Sequence, residues 1–146
     1  MLYKRLHHGM GMCAFVCSFP VNWVDTDALG IVHFSNYLRY FEKAEEEFYR
    51  GLGNRDPSAK QKNVAFPRVE VHCNYRNPCS FGDVVELTLT LKEMKVKSVT
   101  IDFAVFNRSS SKKAAEGYVT LVAVDTEKWV SIPIPEYYRE VFSSLE

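Results

Sequence analysis

Ser35-Asn36-Tyr37-Leu38-Arg39-Tyr40-Phe41-Glu42-Lys43-Ala44-Glu45-Glu46-Glu47-Phe48-Tyr49-Arg50-Gly51-Leu52-Gly53 is the one stretch of this chain that reads as a long helix. Ser35 or Asn36 can cap its start, where a short polar side chain accepts a backbone N–H that has no partner inside the helix. Tyr37, Phe41, Ala44 and Phe48 recur at helical spacing, with Leu38, Glu45 and Leu52 on the adjoining row. Glu42, Lys43, Glu46, Glu47 and Arg50 fall on the wetter side. Gly51 and Gly53 supply a stop, and residues 54–63, with Pro57, read as a loop.

Downstream the apolar period changes to two. Residues 66–75, 83–94, 98–107 and 114–124 read as strands, separated by turn-forming residues such as Asn77-Pro78, Gly82-Asp83 and Lys95 to Lys97. Upstream, Phe15-Val16-Cys17 and Val21-Asn22-Trp23-Val24 favour an extended strand over residues 14–24, with Pro20 marking a bulge or an edge. Pro133 and Pro135 introduce a last short helix over residues 136–142. The order is strand, long helix, then four strands. It predicts an α+β layer arrangement, one long helix against an antiparallel sheet of about five strands. A single helix cannot cover such a sheet, so the spare apolar surface calls for self-association.

The chain has 146 residues, the size of one domain, taken as 1–146. Eighteen basic residues balance eighteen acidic ones, which removes the broad attraction that nucleic-acid binding needs. Lys4 and Arg5 before Met10-Gly-Met-Cys-Ala-Phe-Val-Cys imitate a signal peptide only faintly, since the apolar run is short and diluted by glycine. Residues 1–11 are therefore expected as a loose tail of a soluble, cytoplasmic protein, and no stretch has transmembrane length. Cys13, Cys17, Cys73 and Cys79 lack the paired C-x2-C spacing of structural zinc sites. His72 and Cys73 would point to opposite faces of a strand, so free, mostly buried thiols are expected and no metal.

Chemistry concentrates in Asp25-Thr26-Asp27-Ala28-Leu29-Gly30-Ile31-Val32-His33-Phe34-Ser35-Asn36-Tyr37. Two carboxylates and a histidine stand in an irregular stretch that leads into a helix start, where unpaired N–H groups carry partial positive charge. Such groups stabilise the oxyanion formed when a carbonyl is attacked, and a nearby carboxylate can be nucleophile or base. An Asp-rich turn before a helix is also an ordinary cap, so these residues alone leave catalysis and capping both open.

The pattern Asp25-x-Asp27-x-x-Gly30-Ile31-Val32-x-x-x-Asn36-Tyr37, followed by Phe41 and Ala44, resembles the signature of the 4-hydroxybenzoyl-CoA thioesterase branch of the hot-dog superfamily. The resemblance in element order spans residues 14–124. It implies a sheet wrapped around one central helix, subunits paired sheet edge to sheet edge as a homodimer or homotetramer, and active sites at the subunit interface. It implies hydrolysis of an acyl-CoA thioester without metal or redox cofactor. Position by position, Asp27 falls on the family's catalytic carboxylate and the Phe34 backbone N–H on the group that polarises the thioester carbonyl. Gly30 falls on the glycine that lets the chain approach substrate, Asp25 on an accessory acid, and Tyr37 within the signature. His33 stands one residue before the position where some relatives carry histidine, and is expected as a site-lining residue.

A second match, Lys92-Glu93-Met94-Lys95-Val96-Lys97-Ser98, places Lys95 and Lys97 on basic family positions that hold coenzyme A phosphates, with Ser98 beside them; Val96 departs from the pattern. Arg68, Arg76 and Arg108 are further basic candidates with no motif behind them. Another hot-dog branch uses a helix glutamate as its catalytic carboxylate, but Glu42 and Glu46 here sit among charges on the polar side of the helix and fit a solvated face. The alternatives are a thioesterase acting on acyl carrier protein, which would use the same lysines, and a noncatalytic acyl-CoA-binding module.

Overall fold

The computed structural model describes residues 4–8, 12–52 and 62–146. The described residues form β1 (Lys4–His8), β2 (Met12–Pro20), a 3-10 turn at Trp23–Asp25, and α1 (Asn36–Gly51). Then follow β3 (Val64–Ala65), β4 (Arg68–Tyr75), β5 (Val84–Met94), β6 (Ser98–Asn107), β7 (Lys112–Val122), β8 (Val124–Asp125), β9 (Val130–Ser131) and α2 (Glu136–Ser143). An antiparallel six-stranded sheet runs β1-β2-β5-β6-β7-β4, and β3-β8-β9 make a small three-stranded one. The α+β arrangement stands, but about five strands was an undercount, and the helix has only 16 residues.

Burial follows the two periods. Val85, Leu87 and Leu89 on β5 and Val99, Ile101, Phe103 and Val105 on β6 face the core at alternate positions. Each such side chain contributes about 1.5–3 kcal/mol by leaving water. From α1, Phe48 meets Phe15 edge-on with centroids 5.6 Å apart, and Tyr40 meets Phe19 at 5.1 Å. Phe41 meets Phe103 of β6 at 5.5 Å, and Ala44 lets helix and sheet approach. Glu47, expected in water, is buried and pairs with Arg50 at 2.6 Å.

Two boundaries differ from the sequence reading for identifiable reasons. The strand expected over 14–24 stops at Pro20, which pairs with Val84; proline has no N–H to continue the ladder. Beyond it Asn22 N–H bonds the Asp25 carboxylate at 3.0 Å and closes the 3-10 turn. Lys4–His8, expected in a loose tail, pairs with β2 from Lys4↔Val16 to His8↔Met12. Gly53, most of the expected 54–63 loop and the Cys13 side chain lie outside the described residues.

β4 is an edge of the large sheet, paired on one side with β7. Gly117 makes that pairing possible: a Cβ there would stand 1.9 Å from the His72 carbonyl oxygen. Among the described residues, no helix is long and apolar enough to cross a membrane.

Candidate active site

The segment from Val21 to Asn36 is held at one end of the sheet by backbone bonds. Val21 N–H donates to the Asp83 carbonyl at 2.8 Å, and Val32 N–H to the Cys79 carbonyl at 2.8 Å. Isolated bridges join Thr26 to Val32 and Ile31 to Ser80. Within the loop they close, Asp27 N–H donates to the Ile31 carbonyl and Gly30 N–H to the Asp27 carbonyl, both at 2.9 Å. Gly30 has φ +75°, which a side chain would strain, and the space beside its Cα is open.

The two aspartates do different work. Asp25 Oδ2 accepts the Asn22 N–H and the Tyr40 hydroxyl, each at 3.0 Å. Its carbonyl accepts His33 N–H at 2.9 Å and the Asn36 amide at 2.8 Å. Asp25 thus staples the loop to the first turns of α1, and burial together with this carboxylate pushes the Tyr40 hydroxyl far above its usual pKa. Asp27 Oδ1 accepts only the Leu29 N–H, at 2.8 Å, and Oδ2 has no partner among the described residues.

Asp27 lines a pocket of about 420 Å³ together with Leu29, Phe34, Tyr37, Tyr75 and Asn77. The Phe34 N–H, just before α1, has no acceptor among the described residues, and its ring is exposed. The Tyr75 hydroxyl donates to the Phe34 carbonyl at 3.0 Å. Tyr37 is buried against Tyr75 and Cys79, and burial pushes its hydroxyl well above the ordinary value. The arrangement supplies an unengaged carboxylate oxygen and an unengaged N–H at an apolar-walled cleft, which is what attack on a carbonyl requires.

His33 does not line this pocket. Its Nδ1 lies 2.7 Å from the Ser35 hydroxyl and accepts the Ser35 N–H at 3.3 Å, so the ring caps the helix that Ser35 itself leaves without a side-chain cap bond. Asn77 and Tyr75 were not singled out as site residues in the sequence. The Asn77-Pro78 turn was visible there, but the Ile31↔Ser80 bridge that carries it to Asp27 is a tertiary contact.

The lysine turn lies elsewhere. Lys95 N–H closes the β5–β6 hairpin on the Ser98 carbonyl at 2.8 Å, and its ammonium stands 3.4 Å from Glu93. The Lys97 ammonium bonds the Ser131 carbonyl and hydroxyl at 3.2 and 3.3 Å. Asp27 neighbours the Val84 end of β5, while this turn follows its Met94 end, roughly 30 Å away along the strand at the usual rise. Within one chain Asp27 and the lysines do not converge. Arg68 pairs with Glu45, Arg76 with Glu116 at 3.0 Å, and Arg108 with Glu86 at 2.9 Å; only Arg76 also lines the pocket.

Residues 21–142 match the family model described as "Thioesterase-like superfamily". A protein of Aquifex aeolicus, provisionally named an esterase, is 34% identical over 82% of this chain and 91% of its own length. The long-chain acyl-CoA thioesterase FadM of Escherichia coli is 26% identical over 80% of this chain and 90% of its own. The crystal structure of a 1,4-dihydroxy-2-naphthoyl-CoA thioesterase from Synechocystis superposes with a TM-score of 0.81, covering 88% of this chain and 95% of that one; at 19% identity this is a likeness of fold. The family match covers the loop before α1, the helix itself and four of the six strands of the large sheet, so the signature and the architecture agree: the chain belongs to the thioesterase-like superfamily, in its hot-dog, 4-hydroxybenzoyl-CoA thioesterase-like branch.

Proposed function

We propose that this chain hydrolyses an acyl-coenzyme A thioester, with the Asp27 carboxylate as nucleophile or general base and the Phe34 N–H as the oxyanion donor. The observation that carries this reading is that both groups border one pocket while neither is used up by the fold. Family membership makes thioester hydrolysis the reaction class. A long-chain acyl-CoA and an aromatic acyl-CoA are the substrates in the names of two similar proteins, so the acyl group is the open variable.

Two steps are compatible with the geometry. Asp27 Oδ2 adds to the thioester carbonyl carbon, the C–S bond breaks, and water then hydrolyses the mixed anhydride. Alternatively Asp27 takes a proton from water as the hydroxide adds, and the thiolate leaves with that proton. In both, negative charge grows on the carbonyl oxygen, and a fixed N–H aimed at it lowers the barrier. The thiolate is a good leaving group, so this reading calls for no metal or redox cofactor. Free thiols at Cys17, Cys73 and Cys79 suit a reducing compartment such as the cytoplasm.

A dimer through β4 reconciles the separated halves of the site. β4 begins at the lysine end of the sheet, with Arg68 beside Leu121, and finishes at the pocket end, with Tyr75 beside Ala115. Antiparallel pairing of two copies along this edge reverses the partner, so its lysine turn comes to the pocket end. The partner's β6 is then three strand spacings from β4, about 14 Å, which a pantetheine arm can cross. Lys95 and Lys97 would therefore hold the phosphates of a substrate attacked by Asp27 of the other copy.

The test is free-thiol release from a panel of aromatic, short and long acyl-CoAs. Asp27→Asn should lower turnover by about 10²-fold or more with folding intact, the scale of a lost acid–base group. Asp25→Asn should act mainly on melting temperature, since Asp25 is occupied as a staple. Near-normal turnover in folded Asp27→Asn protein, or transfer of activity to acyl carrier protein substrates alone, would overturn the reading.

A further inference from the structure

We infer that Trp129 is the platform on which the adenine of the acyl-CoA stacks, beside the phosphate site at Lys97. The inference rests on the acyl-CoA reading and names the group that recognises the nucleotide end. Trp129 is 67% exposed and makes no ring contact among the described residues. Its φ is +53°, in the left-handed region that a bulky side chain enters only at a cost. A glycine or asparagine would close this turn without strain, so the fold gains nothing locally from an indole here.

The surroundings hold the backbone that carries this indole in place. Asp125 Oδ1 accepts the N–H groups of Glu127 and Lys128 at 2.8 and 3.0 Å, and Trp129 N–H donates to the Asp125 carbonyl at 2.8 Å. Asn63 braces the same hairpin tip: its carbonyl accepts Thr126 N–H and its amide donates to Glu127, both at 2.9 Å. Two residues on, Ser131 binds the Lys97 ammonium through its carbonyl and hydroxyl. A lysine has three N–H donors, so one remains for a phosphate oxygen. The Cα atoms of Trp129 and Ser131 are at most roughly 7 Å apart, similar to the reach from an adenine to the phosphate on its ribose. Val96 and Val130, the chain neighbours of Lys97 and of Trp129 and Ser131, are exposed as well. An exposed aromatic ring two residues along the chain from the serine that holds an ammonium is a combination suited to binding a base with its phosphate.

The chain has two tryptophans, so Trp23→Phe leaves Trp129 as the sole indole reporter. Adenosine 3′,5′-bisphosphate should quench its fluorescence saturably, and phosphopantetheine, which lacks the base, should not. Trp129→Ala should raise KM for acyl-CoA roughly tenfold, the scale of one lost base–aromatic stack. It should leave kcat, and activity on an acyl-pantetheine thioester, unchanged. Trp129→Gly should show the same KM loss with a raised melting temperature, because strain goes along with the ring; Trp129→Phe should keep most of the affinity. Unchanged KM in Trp129→Ala, equal losses on both substrates, or quenching by phosphopantetheine alone would overturn the inference. If the wild-type chain hydrolyses acyl-CoA through Asp27 while Trp129→Ala behaves normally, only this inference fails; absence of acyl-CoA hydrolysis in the wild type fails the underlying reading instead.

Discussion

The Tyr75 hydroxyl donates to the Phe34 carbonyl at 3.0 Å, a bond that spans 41 residues of sequence and ties the end of β4 to another residue that lines the pocket. Oxyanion donors work by being fixed before the charge appears, so, with Phe34 in the proposed donor role, what holds it should bear on rate more than on binding. Tyr75→Phe removes one hydrogen bond, worth about 0.5–1.5 kcal/mol. The expected result is a kcat lowered roughly threefold to tenfold, with KM and melting temperature little changed. Steady-state kinetics on one acyl-CoA decides it. A change confined to KM would make Tyr75 a wall of the pocket and nothing more.

In the proposed dimer the two halves of the site come from different copies, and mixing tests that. Lys95→Ala with Lys97→Ala should raise KM for acyl-CoA by roughly tenfold to thirtyfold, because each exposed contact is worth about 1 kcal/mol at most and is screened by salt. Refolding this double variant together with Asp27→Asn chains should create heterodimers holding one intact site and one doubly defective site. Activity with normal KM should then reappear, approaching a quarter of the wild-type value for random pairing of equal amounts. Mixtures no more active than their separate components would place lysines and carboxylate in the same chain's site, against the edge-paired dimer.

Glu45 gives a pH signature separate from catalysis. Burial raises its carboxyl pKa above the usual 4.5, and the Arg68 guanidinium and Tyr49 hydroxyl only partly oppose this. A raised carboxyl pKa means that the folded chain holds a proton the unfolded chain has released. Stability contributed by Glu45 is therefore present at low pH and is lost as pH rises from 4.5 through the folded value. Glu45→Gln should flatten that decline in urea unfolding compared at about pH 5 and about pH 8. A steeper decline in the variant would show that Arg68 outweighs burial.

Helix α1 and strands β5 and β6 were legible almost to the residue because each carries an unbroken apolar period: Tyr37, Phe41, Ala44 and Phe48 on the helix, Val85, Leu87 and Leu89 on β5. Asp27 and Tyr37 stood out in the sequence through a spaced signature, and Phe34 through its place within that stretch; the three line one pocket, which by itself assigns none of them a role. What escaped was set by contacts between distant residues. Two-residue strands such as β3, β8 and β9 have no period to read. Glu47 sits on a helix row that charge alone assigns to water, and only the three-dimensional packing buries it. His33 carried the right chemistry for a site, but the nearby Ser35 claims its ring nitrogen.

β4 has a further consequence for how the protein behaves when scarce. Among the described residues it is an eight-residue edge with one hydrogen-bonded neighbour, and Val69 and Val71 stand exposed on it. Such an edge is a template for any extended chain that meets it, and it carries neither proline nor lysine to discourage this. If the matching edge of a second copy is its proper cover, dilution below the dimer's dissociation constant both separates Asp27 from its lysines and bares a strand prone to wrong partners. Loss of activity on dilution would then be only partly reversed by concentrating the sample again, with the missing fraction found as aggregate.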